Sequence, residues 1–320
     1  MYRNIMVPVD GSSFAREAVL HALRIASQSG ATLHLVQVAV APAFPGAHEG
    51  MGLGASSIGD FHSGELSSLY ALAAECRAHS TLTVKASLER GPTVDALIGY
   101  ARRHDVDLVV MRSHARRGLA RVWFGSVADG MIRESGIPVL VVRPPSVATA
   151  LQSGFHHQRI LVPLDGSALA EQALAPAVSL ARMDGASLTL LRVVAAWKHR
   201  EPGELESSLG PAGANEVSMA QRYLDSLLDS PGDRSIRVIR RVMISSDIAS
   251  TILQVATDHE VDVVALATRG RGAIRRAAGG SVSDVVMRES TVSTLVVHPP
   301  VDVIVPEDAD SELSLSQPGL

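Results

Sequence analysis

Cysteine and aromatic residues are scarce in this chain. Cys76 is the only cysteine among 320 residues, so no disulfide can form within one chain, as is typical of proteins from a reducing cytosol. Aromatic residues make up 3% of the sequence, whereas hydrophobic residues of all kinds make up 46%. The core must therefore consist mainly of aliphatic side chains. Cys76 follows Leu72 by one helical turn and is interpreted as a small helix residue rather than a reactive thiol.

Long apolar runs are also missing. No run approaches the roughly 18 residues that a membrane-spanning helix needs. The N-terminus passes from Met1 straight into a strand pattern, without the features of a signal peptide. The net charge of −4 argues against a general nucleic-acid binder. We therefore expect a cytoplasmic protein that does not insert into a membrane and for which a nucleic-acid partner is not expected.

The chain does contain an internal duplication, with a constant offset of 155 residues between matching segments. Ile5–Ser12 recurs as Ile160–Ser167, and the segment that opens with Gly125-Ser126 recurs from Gly280-Ser281. One offset at several separate places indicates a duplicated domain rather than chance similarity. The predicted organisation is a first domain at 1–145, a second at 156–300 and a disordered acidic tail at 301–320.

Apolar strand patterns alternate with helical patterns in both halves. In the first half, a strand pattern at Ile5–Val9 precedes a helical pattern at Ser13–Ser29, and Pro42–His62 is interpreted as a loop. This alternation predicts an α/β fold of two repeated doubly wound domains, each a five-stranded parallel sheet with helices on both faces. Ligands of such sheets bind beyond the carboxyl ends of the strands, where Asp10 and Asp165 lie.

The second half carries a pattern that is typical of phosphate binding. An apolar strand pattern at Val261–Leu266 leads into a basic, glycine-rich loop, and Gly280-Ser281 then opens a helical pattern. The first backbone N–H groups of a helix have no partner within the helix, and the helix dipole favours an anion there. Ser281 can cap the helix or offer its hydroxyl to a phosphate oxygen.

These residues resemble the universal stress protein family in its tandem two-domain form. Nucleotide-binding members carry Gly-x2-Gly-x9-Gly-Ser/Thr after the fourth strand. Gly270 and Gly280-Ser281 match this motif, while Ala267 stands at the first glycine. The resemblance implies ATP, with or without Mg2+, in the second domain. The implied nucleotide-binding residues are Pro163, Leu164, Asp165, Val193, Ala267, Arg269, Gly270, Gly280, Ser281 and Val282. Asp165 would contact the ribose or adenine, and Val193 would meet adenine through its backbone.

The first half departs further from the family motif. Arg112 and Ala115 replace the first two glycines, and only Gly125-Ser126 is kept. The Arg112 side chain either fills the phosphate site or binds phosphate itself. We therefore expect the second domain to bind ATP better than the first. The weaker site would consist of Pro8, Val9, Asp10, Val38, Arg112, His114, Gly125, Ser126 and Val127.

Catalytic motifs are not evident. The sequence has no Gly-x4-Gly-Lys-Ser/Thr loop and no Ser–His–Asp arrangement, and His156-His157 lacks a third metal ligand at suitable spacing. We expect no catalytic residues, no metal site and, without a dedicated general base, at most slow ATP hydrolysis. Steady turnover abolished by Ser281→Ala would instead favour a phosphotransfer or nucleotidyl-transfer enzyme.

Other interpretations of the same residues stay open. Asp10 and Asp165 can simply cap the first helix of each half. The basic loops can be solvated charge, and no aromatic residues interleave with them to stack on bases. A module that binds proteins and no nucleotide is the main alternative, because some members of the family lack ATP; the protein partner is unknown in either case. The family also implies an internal pseudo-dimer, with Val139–Val142 beside Thr294–Val297, and a homodimer of whole chains is compatible with it.

Overall fold

The computed structural model describes residues 1–39, 55–112, 125–143, 157–196, 211–228, 236–268 and 281–298. Both halves alternate strands with helices, as predicted. The first half contains β1 (Asn4–Pro8), α1 (Ser13–Ser29), β2 (Thr32–Ala39), α2 (Ala55–Ala78), β3 (Val84–Arg90), α3 (Thr93–Arg103), β4 (Leu108–Arg112), α4 (Ser126–Glu134) and β5 (Val139–Val142).

The second half repeats this order with one change. It contains β6 (Arg159–Pro163), α5 (Ala168–Glu171), α6 (Leu174–Asp184), β7 (Ser187–Ala195), α7 (Pro211–Ser226), β8 (Val238–Ser245), α8 (Ile248–Asp258), β9 (Val263–Ala267), α9 (Val282–Glu289) and β10 (Ser293–Val297). The single helix α1 corresponds to the two helices α5 and α6. Pro176 explains the break, because a proline has no N–H to donate to residue 172 and its ring crowds that carbonyl.

All ten strands form one sheet in the order β3-β2-β1-β4-β5-β10-β9-β6-β7-β8. The strands are parallel within each half, which confirms the predicted fold class. The halves meet where β5 and β10 pair antiparallel, with Leu140 opposite Leu295 and Val139 opposite Val296. The predicted pairing of Val139–Val142 with Thr294–Val297 is therefore confirmed, and it removes two exposed sheet edges from the middle of the molecule.

The core continues across the junction between the halves. One hydrophobic layer, on the face covered by α1, α2, α6 and α7, joins residues of the first half to residues such as Ile160 and Leu295. A second layer lies on the opposite face, under α3, α4, α8 and α9. Because both layers contain side chains from both halves, we expect the halves to unfold together. The β5–β10 junction is therefore packed like a protein interior.

The loop predicted over Pro42–His62 is wrong in its second part, because α2 already begins at Ala55. The polar, glycine-containing sequence of its first turns lacks the apolar periodicity that marks the remainder of the helix. The sequence predicts a flexible linker over Pro144–His157. Residues 144–156 and the predicted tail at 301–320 lie outside the described residues, but His157 is buried and lies 2.6 Å from Asp184, so its assignment to the linker is wrong. None of the helices that the structure describes combines the length and the apolar character needed to cross a bilayer.

Candidate functional site at the carboxyl end of the sheet

A tight turn follows the first strand of each half and carries the two aspartates of interest. Asp165 Oδ1 accepts hydrogen bonds from the Ser167 backbone N–H at 2.9 Å and from the Ser167 hydroxyl at 2.6 Å. Asp10 Oδ1 accepts from the Ser12 N–H at 3.0 Å. The glycine between, Gly166, has a φ of +84°, which a residue with a Cβ rarely adopts. Both carboxylates are exposed at the carboxyl end of the sheet.

The helix caps that follow these turns are serines and not the aspartates. Ser12 accepts from the Ala15 N–H at 3.3 Å, and Ser167 accepts from the Ala170 N–H at 3.2 Å. The interpretation of Asp10 and Asp165 as simple helix caps is therefore wrong. Their position is instead determined by the turn, since each carboxylate accepts the backbone N–H two residues further along. This leaves them facing solvent in the region where a ligand of a parallel sheet would bind.

The strand β7 extends past the carboxyl end of its neighbour β6, and we call the space beyond that end the recess. Pro163 at the end of β6 pairs with Leu191, and β7 continues to Ala195. Backbone groups alternate in direction along a strand. Leu191 O accepts the Leu164 N–H at 2.8 Å, so the backbone groups of Leu191 point toward β6. Val193 lies two residues further along β7, so its N–H and C=O point in the same direction, past the end of β6. The prediction that Val193 meets a ligand through its backbone has this geometric support.

The first half has the same backbone arrangement. Val36 O accepts the Val9 N–H at 2.9 Å, so Val38 directs its backbone groups past the end of β1. Pro8 ends β1 and is paired with Val36. The buried side chains of Val9 and Leu164 anchor the two turns in the core. The duplicated sequence therefore produces two recesses with the same backbone directions.

A helix N-terminus lies at the carboxyl end of β9. The Ser283 hydroxyl donates to Ala267 O at 3.1 Å and ties the first turn of α9 to the end of that strand. Ser281 is the N-cap, and its Oγ accepts the Asp284 N–H at 3.2 Å. Val282 follows at the first helical position and is 39% exposed. The predicted residues Arg269, Gly270 and Gly280 lie outside the described residues.

The corresponding helix of the first half begins differently. Gly125 is the N-cap of α4 and provides no side-chain hydrogen bond, while Ser126 is the first helical residue and is exposed. Val127 follows and is partly buried against the core. The two helices thus begin with the same sequence, Gly-Ser-Val, but the N-cap is the glycine in α4 and the serine in α9. His114, predicted for this site, lies outside the described residues.

Arg112 lies on the α1 face of the sheet and not beside α4. Its guanidinium is 3.0 Å from the Glu17 carboxylate and 4.4 Å from the centre of the Phe14 ring, both on α1. Only 12% of the Arg112 side chain is exposed. In this structure the guanidinium pairs with Glu17 and stacks on Phe14, both on α1. The second half has no such ion pair, since Ala267 occupies the equivalent position.

The sequence interpretation overlooked Arg192. One of its guanidinium nitrogens donates to Leu164 O at 3.3 Å, and the guanidinium lies under the turn, 3.7 Å from where a Cβ on Gly166 would be. Nearby, the Tyr223 hydroxyl donates to Glu171 at 2.9 Å, which together with burial raises the pKa of Tyr223. The first half has Gln37 in place of Arg192, so this support is particular to the second half. An arginine that interrupts an otherwise apolar strand was the available sequence signal.

The described residues contain no group of three or more histidine, cysteine, aspartate or glutamate side chains arranged to hold a metal ion. The polar groups around the recess are strand-edge amides, a fixed carboxylate, a supporting guanidinium and a helix N-terminus. Such a combination can hold a ligand that carries both hydrogen-bonding edges and negative charge.

Comparisons with known proteins give a consistent result. The profile of the universal stress protein family matches twice, at residues 1–143 and 156–298. A universal stress protein of Mycobacterium tuberculosis is 29% identical over 226 residues, covering 69% of this chain and 71% of that protein. One from Mycolicibacterium smegmatis is 27% identical over 304 residues, covering 92% and 97%. The crystal structure of a universal stress protein from Archaeoglobus fulgidus has a TM-score of 0.66 at 19% identity, over 92% of this chain and 98% of that one, and so shares the fold.

Proposed function

Because this chain belongs to the universal stress protein family, with two family domains in tandem, we propose that it binds an adenine nucleotide in the recess of its second half. The nucleotide of this proposal is ATP, with or without Mg2+. Its role is to report the energy or stress state of the cell through protein partners. The observation that carries the proposal is the backbone of Val193, whose N–H and C=O point into the recess beyond β6.

Each part of ATP has a chemical counterpart in this recess. The edge of adenine offers one hydrogen-bond donor and one acceptor, which suits the N–H and C=O of a single strand residue such as Val193. The exposed carboxylate of Asp165 suits ribose hydroxyls. The N-terminus of α9, which begins after Ser281, suits phosphate oxygens. The glycine motif of the sequence at Gly270 and Gly280 favours the same interpretation.

Two differences between the halves favour the second half as the better site. The family glycines are retained there, whereas Arg112 and Ala115 replace two of them in the first half. In addition, the Arg112 guanidinium of the first half is paired with Glu17 on α1, so its charge is already neutralised by a carboxylate.

We propose binding rather than efficient turnover. Among the residues that the structure describes around the recess, no general base is evident, so ATP hydrolysis by this protein should be slow. Release of nucleotide, and not its chemistry, would then determine how long the bound state lasts. Partner proteins would distinguish the occupied from the empty protein.

The test uses the full-length chain, because the two halves share their core layers. Asp165→Ala and the matched Asp10→Ala remove the same carboxylate from the two equivalent turns. Titration calorimetry with ATP should show binding by the wild type, a loss of at least tenfold in affinity for Asp165→Ala, and little change for Asp10→Ala. Thermal unfolding of both variants controls for damage to the turns.

The other outcomes are equally informative. Equal losses in both variants would contradict the preference for the second half while leaving nucleotide binding intact. Absence of any ATP binding by the wild type, together with no adenine released when the purified protein is denatured, would overturn the proposal. That result would favour the alternative of a protein-interaction module without nucleotide.

A further inference from the structure

A cluster of buried charge lies between the two halves, away from either recess. Arg24 on α1 of the first half forms a two-pronged ion pair with Asp184 on α6 of the second half. His157, just before β6, is 2.6 Å from Asp184 through Nδ1 and 2.9 Å from an Arg24 guanidinium nitrogen. The Asp184 side chain is 0% exposed and the Arg24 side chain 12%. The pKa of Asp184 is lowered, because the hydrogen bonds from His157 and Arg24 outweigh its burial.

The surroundings of this cluster follow the internal two-fold relation between the halves. The imidazoles of His21 and His157 stack at 5.9 Å between ring centres. At the offset of 155, His21 corresponds to Pro176 and His157 corresponds to Tyr2. The Tyr2 hydroxyl indeed donates to Pro176 O at 3.1 Å. The two contacts are therefore counterparts, and α1 and α6 face each other across the pseudo-two-fold axis.

The charges do not follow that symmetry. The counterpart of Arg24 in the second half is Ser179, and the counterpart of Asp184 in the first half is Ser29. The Ser29 hydroxyl donates to Ile25 O within its own helix, at 2.9 Å. The buried cation of this ion pair thus comes only from the first half, and its buried anion comes only from the second.

This asymmetry has a consequence for which halves can pair. If two first halves met through the same surface, each Arg24 would face Ser29 and stay buried without an acid. If two second halves met, each Asp184 would face Ser179, lose the Arg24 guanidinium and keep only His157 of its own half as a partner. An ion that is buried without its partner is strongly destabilising, even where the intact pair adds little stability of its own. The hydrophobic strands β5 and β10, in contrast, would tolerate any of these pairings.

We propose that the Arg24–Asp184 cluster makes the junction selective, so that a first half accepts only a second half as its partner. The surface formed by α1 around Arg24 fits one kind of partner, which is the α6 surface around Asp184. This complementarity excludes assemblies in which like halves of separate chains pair and extend into larger oligomers. The selectivity arises because a pairing of like halves would bury Arg24 or Asp184 without the other.

Charge reversal in the full-length chain tests the proposal directly. Neither R24D nor D184R can form the pair within its own chain, because the two facing groups then carry like charge. A mixture of the two chains restores both pairs if the halves exchange, since the first half of each variant complements the second half of the other. We expect a mixed two-chain species, identified by native mass spectrometry with one chain isotope-labelled, at least tenfold more abundant than the two-chain species of either variant alone. The double variant R24D/D184R should return to the assembly state of the wild type.

An ion pair within one half serves as the control, and joint refolding serves as a second measurement. Arg103 and Glu89 form an exposed pair within the first half at 2.7 Å, and mixing R103E with E89R should give no mixed species. If R24D and D184R do not fold alone, they are unfolded and refolded together, and recovery of cooperative structure only in the mixture supports the proposal. No mixed species from folded variants, or no rescue on joint refolding, would overturn it.

Discussion

The two halves of this molecule share their backbone and differ in their polar side chains. Strand order, parallel register and the direction of the backbone groups at Val38 and Val193 are repeated. The polar groups around each recess are not repeated, since Arg112 pairs with Glu17 in one half while Arg192 supports the turn of the other. Duplication therefore preserved the hydrogen-bonded frame of the two recesses, while substitution changed the polar groups around them.

The largest predicted effect tests whether the halves form one cooperative unit. Leu140 and Leu295 are equivalent, fully buried and opposite each other at the junction. Leu140→Ala and Leu295→Ala should each lower the free energy of unfolding by about 2–5 kcal/mol. Because the two side chains share surroundings, the double variant should lose less than the sum. Urea unfolding followed by circular dichroism should show one transition throughout, and a separate transition for one half would contradict the shared core.

Two buried histidines of the first half should contribute to the response of the protein to acid. Burial, together with His157 and Arg24, lowers the pKa of His21 to about 3. Burial, with Lys85 and His104, lowers the pKa of His34 to about 4. The equivalent residues of the second half are Pro176 and Thr189, which do not titrate.

The direction of this pH dependence follows from the number of protons that the folded and the unfolded states bind. Unfolded histidines titrate near 6.5, whereas both folded histidines stay neutral to lower pH, so the unfolded state gains protons first. The stabilisation from the neutral histidines is complete above pH 6.5 and is lost as the pH falls toward their folded pKa values of about 3 and 4, by about 2 kcal/mol for each histidine at pH 5. His21→Gln and His34→Gln should flatten the dependence of the free energy of unfolding on pH between 7 and 5. Substitution of the exposed His79 should leave the slope unchanged; an equal change there would contradict the assignment.

A smaller effect distinguishes the two helix starts. Ser281→Ala removes the hydroxyl that accepts the Asp284 N–H and should cost about 1 kcal/mol. Ser126→Ala should change stability by less than about 0.5 kcal/mol, because the N-cap of α4 is Gly125 and no side chain caps that helix. Thermal unfolding of both variants measures the difference. Equal losses of stability would show that the serine is the N-cap in both helices.

The sequence permitted prediction of the fold because its strand patterns repeat at one offset. The helix Ser13–Ser29 matches its predicted bounds, since Ser12 and Gly30 supply a cap and a stop that are both local. The break between α5 and α6 was missed, although Pro176 signals it. The Arg24–Asp184 pair was not foreseen, because two residues far apart in sequence reveal no contact by their spacing. The turns of Asp10 and Asp165 were located correctly, but only the structure shows that serines cap the helices behind them.

The smallest effect concerns the residue that only the second recess has. Arg192→Gln introduces the residue found at the equivalent position of the first half, Gln37. It removes the hydrogen bond to Leu164 O and the guanidinium below Gly166, while the turn itself keeps its bonds to Asp165. Loss of one such bond, about 1 kcal/mol, should weaken ATP binding about fivefold if Arg192 holds Asp165 in place. Arg241→Gln removes the same charge from an exposed position on β8 and is the matched control. If calorimetry finds the same ATP affinity for both variants, Arg192 only packs beneath the turn, and the proposed preference for the second half must rest on other differences, such as its glycine loop.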